Sequence, residues 1–274
     1  MDFVYCNELI NDFLKTVEKP LVEKGSKYYT GVDLGTACVV VCVLNEKGVP
    51  VAGAYQYADV VKDGMVVDYM GAIKIVRDMK QRLESKLKSE LINAAVAIPP
   101  GTALLDSGAV KHVAESAGFE VNSVLDEPSA ANEVLRIKNG AIVDIGGGTT
   151  GISIIKEDRV VHVGDEPTGG THFSLVISGA YKMPYENAEL FKRDFRNHKE
   201  LIAVLKPVVE KVASIIKHHI ATHDVSEIVL VGGTTCLTGI ENIIAEKTGV
   251  LTFKPQNPMF VTPLGIALSC LNNK

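Results

Sequence analysis

The sequence predicts an α/β protein of two related lobes, each built on a mixed sheet. Three observations carry that prediction. A strand ending in Asp and running into a tight glycine turn occurs twice, at Gly31–Thr36 and Ile142–Gly147. An apolar strand stopped by a breaker pair occurs twice, at Ala94–Ile98 before Pro99–Pro100 and at Ile228–Val231 before Gly232–Gly233. A proline-led helix of small residues also occurs twice, at Glu127–Ala131 and Thr262–Ala267. Recurrence in one order is the mark of an internal duplication.

Composition agrees with a packed core. The 274 residues are 46% hydrophobic and 22% charged, which excludes disordered, collagen-like and disulfide-scaffold classes. Net charge is −5 and no Lys/Arg run stands out, so no nucleic-acid partner is expected. Apolar stretches such as Ala37–Leu44 fall far short of the ~18–20 residues that span a bilayer. The opening Met1–Asp2 lacks the basic start of a signal peptide. Five cysteines without CxxC spacing read as reduced thiols. The expectation is a cytoplasmic protein with no membrane partner.

The elements follow in order. Residues 1–27 form an N-terminal helical extension, with Ile10, Phe13, Leu14 and Val17 on one helical stripe ended by Pro20. It reads as a helix packed on the outside of the domain, with a detachable docking helix as the alternative. Residues 28–140 form lobe I. Strands at Tyr28–Asp33, Cys38–Leu44 and Val49–Tyr57 make a meander, followed by a helix at Gly71–Lys88. The strand Ala94–Ile98, the helix Leu104–Ala117, the strand Val121–Leu125 and the helix Pro128–Leu135 complete it. Residues 141–274 form lobe II, with strands at Ala141–Ile145, Gly151–Ile155, Arg159–Val163, Ile228–Val231 and Leu251–Phe253. Its helices are Gly170–Ser178, Tyr185–Asp194, His198–His219 and Ile240–Lys247, and the last helix, Pro263–Cys270, returns toward lobe I.

The repeated loops suit phosphate chemistry. Glycines let backbone N–H groups approach phosphate oxygens, and a threonine hydroxyl adds a donor. Asp33 and Asp144 are candidates to hold Mg²⁺ through its waters, because Mg²⁺ dehydrates reluctantly. Two facing loops, one per lobe, would grip a polyphosphate from both sides. Gly146, Gly148 and Gly151 also satisfy G-x-G-x-x-G, but the β-branched Thr149–Ile155 that follows is a strand, and a dinucleotide fingerprint must open a helix. No G-x-x-x-x-G-K-[ST] is present. Gly232–Gly233–Thr234–Thr235, ending a buried strand ahead of a helix, is a candidate to lie against a flat nucleoside, with a plain strand–helix turn as the alternative.

These motifs resemble the actin / Hsp70 / sugar-kinase ATPase superfamily. Gly31–Thr36 is similar to its first phosphate motif and Val143–Thr149 to its second. Leu125–Ala131 and Pro263–Ala267 resemble the connect motifs, and Val229–Thr234 the adenosine motif. The match runs from about Tyr28 to Cys270. Within the superfamily, Asp59–Gly64, Pro99–Thr102 and Asp126–Pro128 resemble the ethanolamine-utilization protein J family, Hsp70-like proteins encoded with bacterial microcompartment genes. The resemblance implies a duplicated ribonuclease-H-like fold with an interlobe nucleotide cleft, ATP/ADP and Mg²⁺ as ligands, and ATP-dependent lobe closure. Asp33, Glu127 and Asp144 would be catalytic, with Asp33 and Asp144 organising the metal and Glu127 a metal-bound water. Gly35, Thr36, Gly146, Gly147, Gly148, Thr149, Gly232 and Gly233 would bind the nucleotide. The implied role is a chaperone or assembly factor whose clients are ethanolamine-utilization enzymes or shell proteins, placing it beside a microcompartment. Hydrolysis would be slow or partner-dependent, because Ala37 and Gly151 replace a hydroxyl and a carboxylate used by Hsp70s and no catalytic lysine is placed; Lys74 and Lys80 are candidates.

Two alternatives stay open. A small-molecule kinase would take its base from Asp63 or Asp126, and a non-hydrolysing actin-like scaffold would need neither. The remaining polar residues read structurally. His219 and His223 are i, i+4 on a charged helix end, His172 is a candidate neighbour of the nucleotide, and Lys192–Lys199 is a solvated face. Cys38 and Cys42 read as core.

Overall fold

Cys38–Leu44 has no polar face because its sheet is covered on both sides. The structure, a computed structural model, describes residues 2–23, 25–62, 64–100 and 104–272. Asp63, Gly101 and Thr102, named above, lie outside them. The chain divides into two compact units, residues 1–136 with 260–274, and residues 137–259.

In the first unit, β1 (Tyr29–Leu34), β2 (Cys38–Leu44) and β3 (Pro50–Tyr57) form the meander, and β4 (Val61–Lys62) pairs with β5 (Met65–Val66) as a small separate hairpin. Helix α2 (Tyr69–Leu87) leads to β6 (Asn93–Ile98), then α3 (Leu104–Ser116), β7 (Glu120–Asp126) and α4 (Glu127–Leu135). The sheet order is β3-β2-β1-β6-β7, with β1, β6 and β7 parallel. Val39, Val41 and Val43 face α2, packing with Val76, Met79 and Leu83. The opposite face carries α1 (Val4–Glu18) and α9 (Val261–Asn272).

Helix α1 is part of this unit's core. Cys6, Leu9, Ile10, Phe13 and Thr16 are buried. The Phe13 ring occupies the space a Cβ at Gly53 of β3 would take, and it stacks at a tilt on Phe260, centroids 5.2 Å apart. The buried stripe is rotated from the expected one: Leu14 and Val17 are only half-buried, while Cys6 and Thr16 supply the inner face.

In the second unit, β8 (Asn139–Ile145), β9 (Thr150–Lys156) and β10 (Arg159–Glu166) form a second meander. Helices α5 (Gly170–Tyr181), α6 (Tyr185–Arg193) and α7 (His198–Ile220) follow, then β11 (Glu227–Val231), α8 (Ile240–Thr248) and β12 (Leu251–Phe253). The order β10-β9-β8-β11-β12, with β8, β11 and β12 parallel, repeats the first sheet position for position. The apolar face of α7, Leu201, Leu205, Val209, Val212 and Ile216, packs with Phe173 and Ile177 of α5 and Ile240 and Ile244 of α8.

The proline-led helices α4 and α9 cross within the first unit. At Gly265 the approach is so close that an added Cβ would overlap the Ala130 carbonyl. Small residues there let the two backbones touch, but the crossing joins two parts of one unit, whereas the paired Glu127 and Thr262 motifs suggest a crossing between the lobes. Among the described residues no helix is long and apolar enough to cross a membrane.

Candidate functional site

Ligand sites in sheets of this kind lie beyond the carboxyl ends of the parallel strands. In the first unit β1 ends at Asp33–Leu34 and turns back into β2 with Leu34 paired to Val39. The turn is closed by the Gly35 N–H donating to the Cys38 carbonyl at 3.1 Å. In the second unit β8 ends at Asp144–Ile145, Ile145 pairs with Thr150, and the Gly146 N–H donates to the Thr149 carbonyl at 3.0 Å. The two loops therefore match residue for residue: Asp33 with Asp144, Gly35 with Gly146, Thr36 with Gly147, Ala37 with Gly148.

The end of the second sheet collects most of the expected residues. Gly170 at the start of α5 donates its N–H to the Gly146 carbonyl at 2.9 Å, and Thr171 donates to the Gly147 carbonyl at 2.8 Å. The Thr234 hydroxyl donates to the same Gly146 carbonyl at 2.7 Å. Gly169 packs so tightly on Gly147–Thr149 that a Cβ would lie 2.8 Å from the Gly147 oxygen. The loop is thus held by its carbonyls, and among the described residues the N–H groups of Gly147 and Gly148 have no acceptor. Unclaimed successive N–H groups of this kind form an anion-binding nest. Asp144 is buried, and its carboxylate fills the space beside Gly232, whose φ of +90° suits glycine. Lys254 fixes the adjoining turn, donating to the Thr235 and Leu237 carbonyls at 2.9 and 2.8 Å and pairing with Glu241.

In the first unit, Asp33, Gly35 and Thr36 lie at the end of β1, and Glu127 opens α4 directly after β7, at the same end of the same sheet. Asp126 is the N-cap of α4, accepting from the Ser129 N–H at 2.9 Å and from its hydroxyl at 2.6 Å. That role competes with service as a kinase base.

Neither lysine proposed from sequence is a free cation at a loop by geometry alone. Lys74 is exposed on α2. Lys80 is buried, 2.6 Å from Glu84, which also accepts the Leu91 N–H at 2.8 Å; its ammonium lies 5.3 Å from the Phe119 ring centroid. This is a staple at the end of α2.

Two features escaped sequence reasoning. Lys192 belongs to a charged run but is largely withdrawn from solvent, donating to the Gly170 carbonyl at 2.9 Å, the Ser174 hydroxyl at 2.8 Å and Glu189 at 2.8 Å. Burial holds the ammonium below its usual pKa despite Glu189. Burial also opposes ionisation of Glu189, but Lys192, the Ser174 hydroxyl and Arg193 outweigh it and hold the carboxyl low. The signal was present: Glu189, Lys192 and Arg193 fall at i, i+3, i+4 on one helix. The second feature is Asp165. Gly151 pairs with Asp144 on one side and Asp165 on the other, so the row across three strands has carboxylates at both ends and no side chain between.

Mg²⁺ and a nucleotide fit these residues in one specific way. Among the described residues no group of three His, Cys, Asp or Glu side chains is arranged to hold a metal directly. Asp33 in the first unit and Asp144 in the second are each of the donor type that holds a hydrated ion through its waters, and the open N–H groups at Gly147 and Gly148 suit phosphate oxygens.

Comparisons with known proteins agree with this architecture. The chain is 43% identical over 242 residues to the ethanolamine utilization protein EutJ of Salmonella typhimurium, covering 88% of this chain and 85% of the relative. The crystal structure of EutJ from Carboxydothermus hydrogenoformans superposes with a TM-score of 0.89 at 47% identity, over 97% of each chain. MreB 5 of Spiroplasma citri, solved bound to AMPPNP, shares the fold with a TM-score of 0.72 at 17% identity, over 89% of this chain and 95% of that one. A family model described as type IV pilus assembly protein PilM matches residues 111–260. The fold is thus of the actin/Hsp70 type, and the chain belongs to the EutJ family of ethanolamine utilization proteins.

Proposed function

We propose that the chain binds a Mg-nucleotide, ATP or ADP, through the loops that end β1 and β8. Asp33 and Asp144 orient metal-bound waters, Gly35, Thr36 and Gly146–Thr149 meet the phosphates, Gly232 and Gly233 flank the nucleoside, and Glu127 orients the attacking water. The observation that carries this reading is the second-unit loop. Its carbonyls are taken up by Gly170, Thr171 and Thr234, while among the described residues nothing accepts from the N–H groups of Gly147 and Gly148. The solved MreB 5 with AMPPNP shares the fold and supports a nucleotide as that ligand.

The nucleotide state would be read by a protein client, with ATP favouring a closed form. The chain's family points to ethanolamine-utilization enzymes or shell proteins as clients, and to a role as a chaperone or assembly factor beside a microcompartment. Binding is the primary property and turnover the secondary one, since Ala37 in the first loop brings no hydroxyl and Gly151 in β9 no carboxylate.

Calorimetry with Mg-ATP and Mg-ADP tests the site. The parent protein is expected to bind both, and Asp33→Ala and Asp144→Ala to weaken binding by about tenfold or more. Unchanged affinity in both variants removes the two-loop reading. Co-purification of the tagged protein with ethanolamine-utilization enzymes, altered by ADP against AMPPNP, tests the client.

A further inference from the structure

We infer that His198 acts as a positioning residue for this site and makes its nucleotide affinity fall in acid, an inference that rests on the nucleotide reading above. His198 is the first residue of α7 and is buried. Its Nδ1 accepts the Thr238 N–H at 3.2 Å and lies 3.1 Å from the Thr238 hydroxyl; its Nε2 lies 3.0 Å from the Lys192 carbonyl. A nitrogen that accepts a backbone N–H carries no proton, so the proton sits on Nε2 and is donated to Lys192. The hydrogen bonds thus assign a neutral ring and a single tautomer.

The two partners sit at two walls of the same site. Lys192 reaches Gly170 and Ser174 beside the glycine loop. Thr238 follows the 3-10 turn Gly233–Cys236, whose Thr234 hydroxyl is bonded to Gly146. One imidazole therefore ties the backbone of Lys192 to the backbone of the nucleoside-side turn. Protonation would set an N–H on Nδ1 against the Thr238 N–H, and the Thr238 hydroxyl alone would be left to accept.

The surroundings set the direction. Burial pushes the ring's pKa down most; the Lys192 carbonyl and Asp194 favour the proton, and Lys254 opposes it. Lys254 is itself paired with Glu241 at 2.9 Å, and Lys192 with Glu189 at 2.8 Å. The net shift is downward, so the ring stays neutral through the ordinary histidine range near 6.5 and the clamp is lost only as pH falls further into acid.

The test measures Mg-ADP affinity by calorimetry at about pH 8 and about pH 4.5, the lower value lying well below the ordinary histidine range because the ring is shifted down. The variants are His198→Asn, whose amide oxygen can accept the Thr238 N–H without titrating, and His198→Phe, which removes both bonds. The parent is expected to lose roughly 5–10-fold affinity in acid beyond any loss shared with His198→Asn, the size of one broken buried hydrogen bond. His198→Phe is expected to bind weakly at both values while its circular dichroism stays native. Parallel pH profiles for the parent and His198→Asn, or parent-like affinity in His198→Phe, overturn the inference. Absence of binding by the parent at about pH 8 overturns the nucleotide reading instead. The clamp itself is then judged by ¹⁵N NMR, where a bare Nδ1 and a slowly exchanging Thr238 amide support it and a protonated Nδ1 at that pH refutes it.

Discussion

Asp165 alters what Gly151 means. From sequence alone Gly151 is a lost carboxylate, but its in-register neighbours are Asp144 and Asp165, on the same face of the sheet. A carboxylate from β10 thus borders the row that ends at Asp144. If its field reaches a hydrated Mg²⁺ there, Asp165→Asn is expected to weaken Mg-ATP binding by about 2–5-fold with no change in melting temperature. Equal affinities from calorimetry would place Asp165 outside the site. A second residue-scale expectation concerns His162. Its Nε2 lies 2.9 Å from Nδ1 of His219, whose other nitrogen is 3.2 Å from Glu166. Partial burial and the neighbouring His219 and His223 hold the His162 pKa below its usual value. A histidine shifted down binds fewer protons folded than unfolded, so stability is full above about 6.5 and falls as pH drops below it. Melting curves between about pH 8 and pH 5 should show this loss, and His162→Gln should shrink it. An unchanged pH dependence in that variant would assign the loss to other groups.

Helix α1 shows how far sequence patterning reaches at the level of elements. Its existence was legible from the 3.6-residue period, but its buried face was misjudged because Cys6 and Thr16 were not counted as apolar. Packing against Gly53 and Phe260 then makes it core, contrary to a detachable helix. Phe13→Ala is expected to cost about 3–5 kcal/mol and lower the melting temperature accordingly. A melting temperature equal to the parent's would restore the docking-helix alternative. The duplicated strands were legible because apolar runs with breaker pairs survive any register. The β4–β5 hairpin was not, since two-residue strands carry no period. Lys192 escaped for a different reason: a charged run predicts solvation, and only its tertiary partners show the burial. At the α4–α9 crossing, Gly265→Val would drive a branched side chain into the Ala130 carbonyl. The cost is expected at about 1–3 kcal/mol or more, read by denaturant titration.

For the whole molecule, the expected signature is binding without rapid turnover. One missing contact to the developing charge costs about 10²–10³ in rate, and Ala37 and Gly151 supply neither a hydroxyl nor a carboxylate. Phosphate release by the isolated protein is therefore expected to be near background. Fast basal release abolished by Glu127→Gln would show that the loops are fully equipped. One further consequence comes from α9, which belongs to the same compact unit as α1. Its Ala267 backbone lies directly against Gly31 of β1, and Ile266 and Cys270 pack with Tyr29, Ala95 and Ala130. The chain from 137 to 259 is inserted between the two parts of that unit. A ribosome adding about 5–20 residues per second needs several seconds or more to deliver the insert. Throughout that time β1 and β6 wait without the α9 part of their apolar cover, while the second unit has all its own residues in one continuous stretch. Vectorial synthesis thus inverts the order of the sequence: the unit that starts first is finished last.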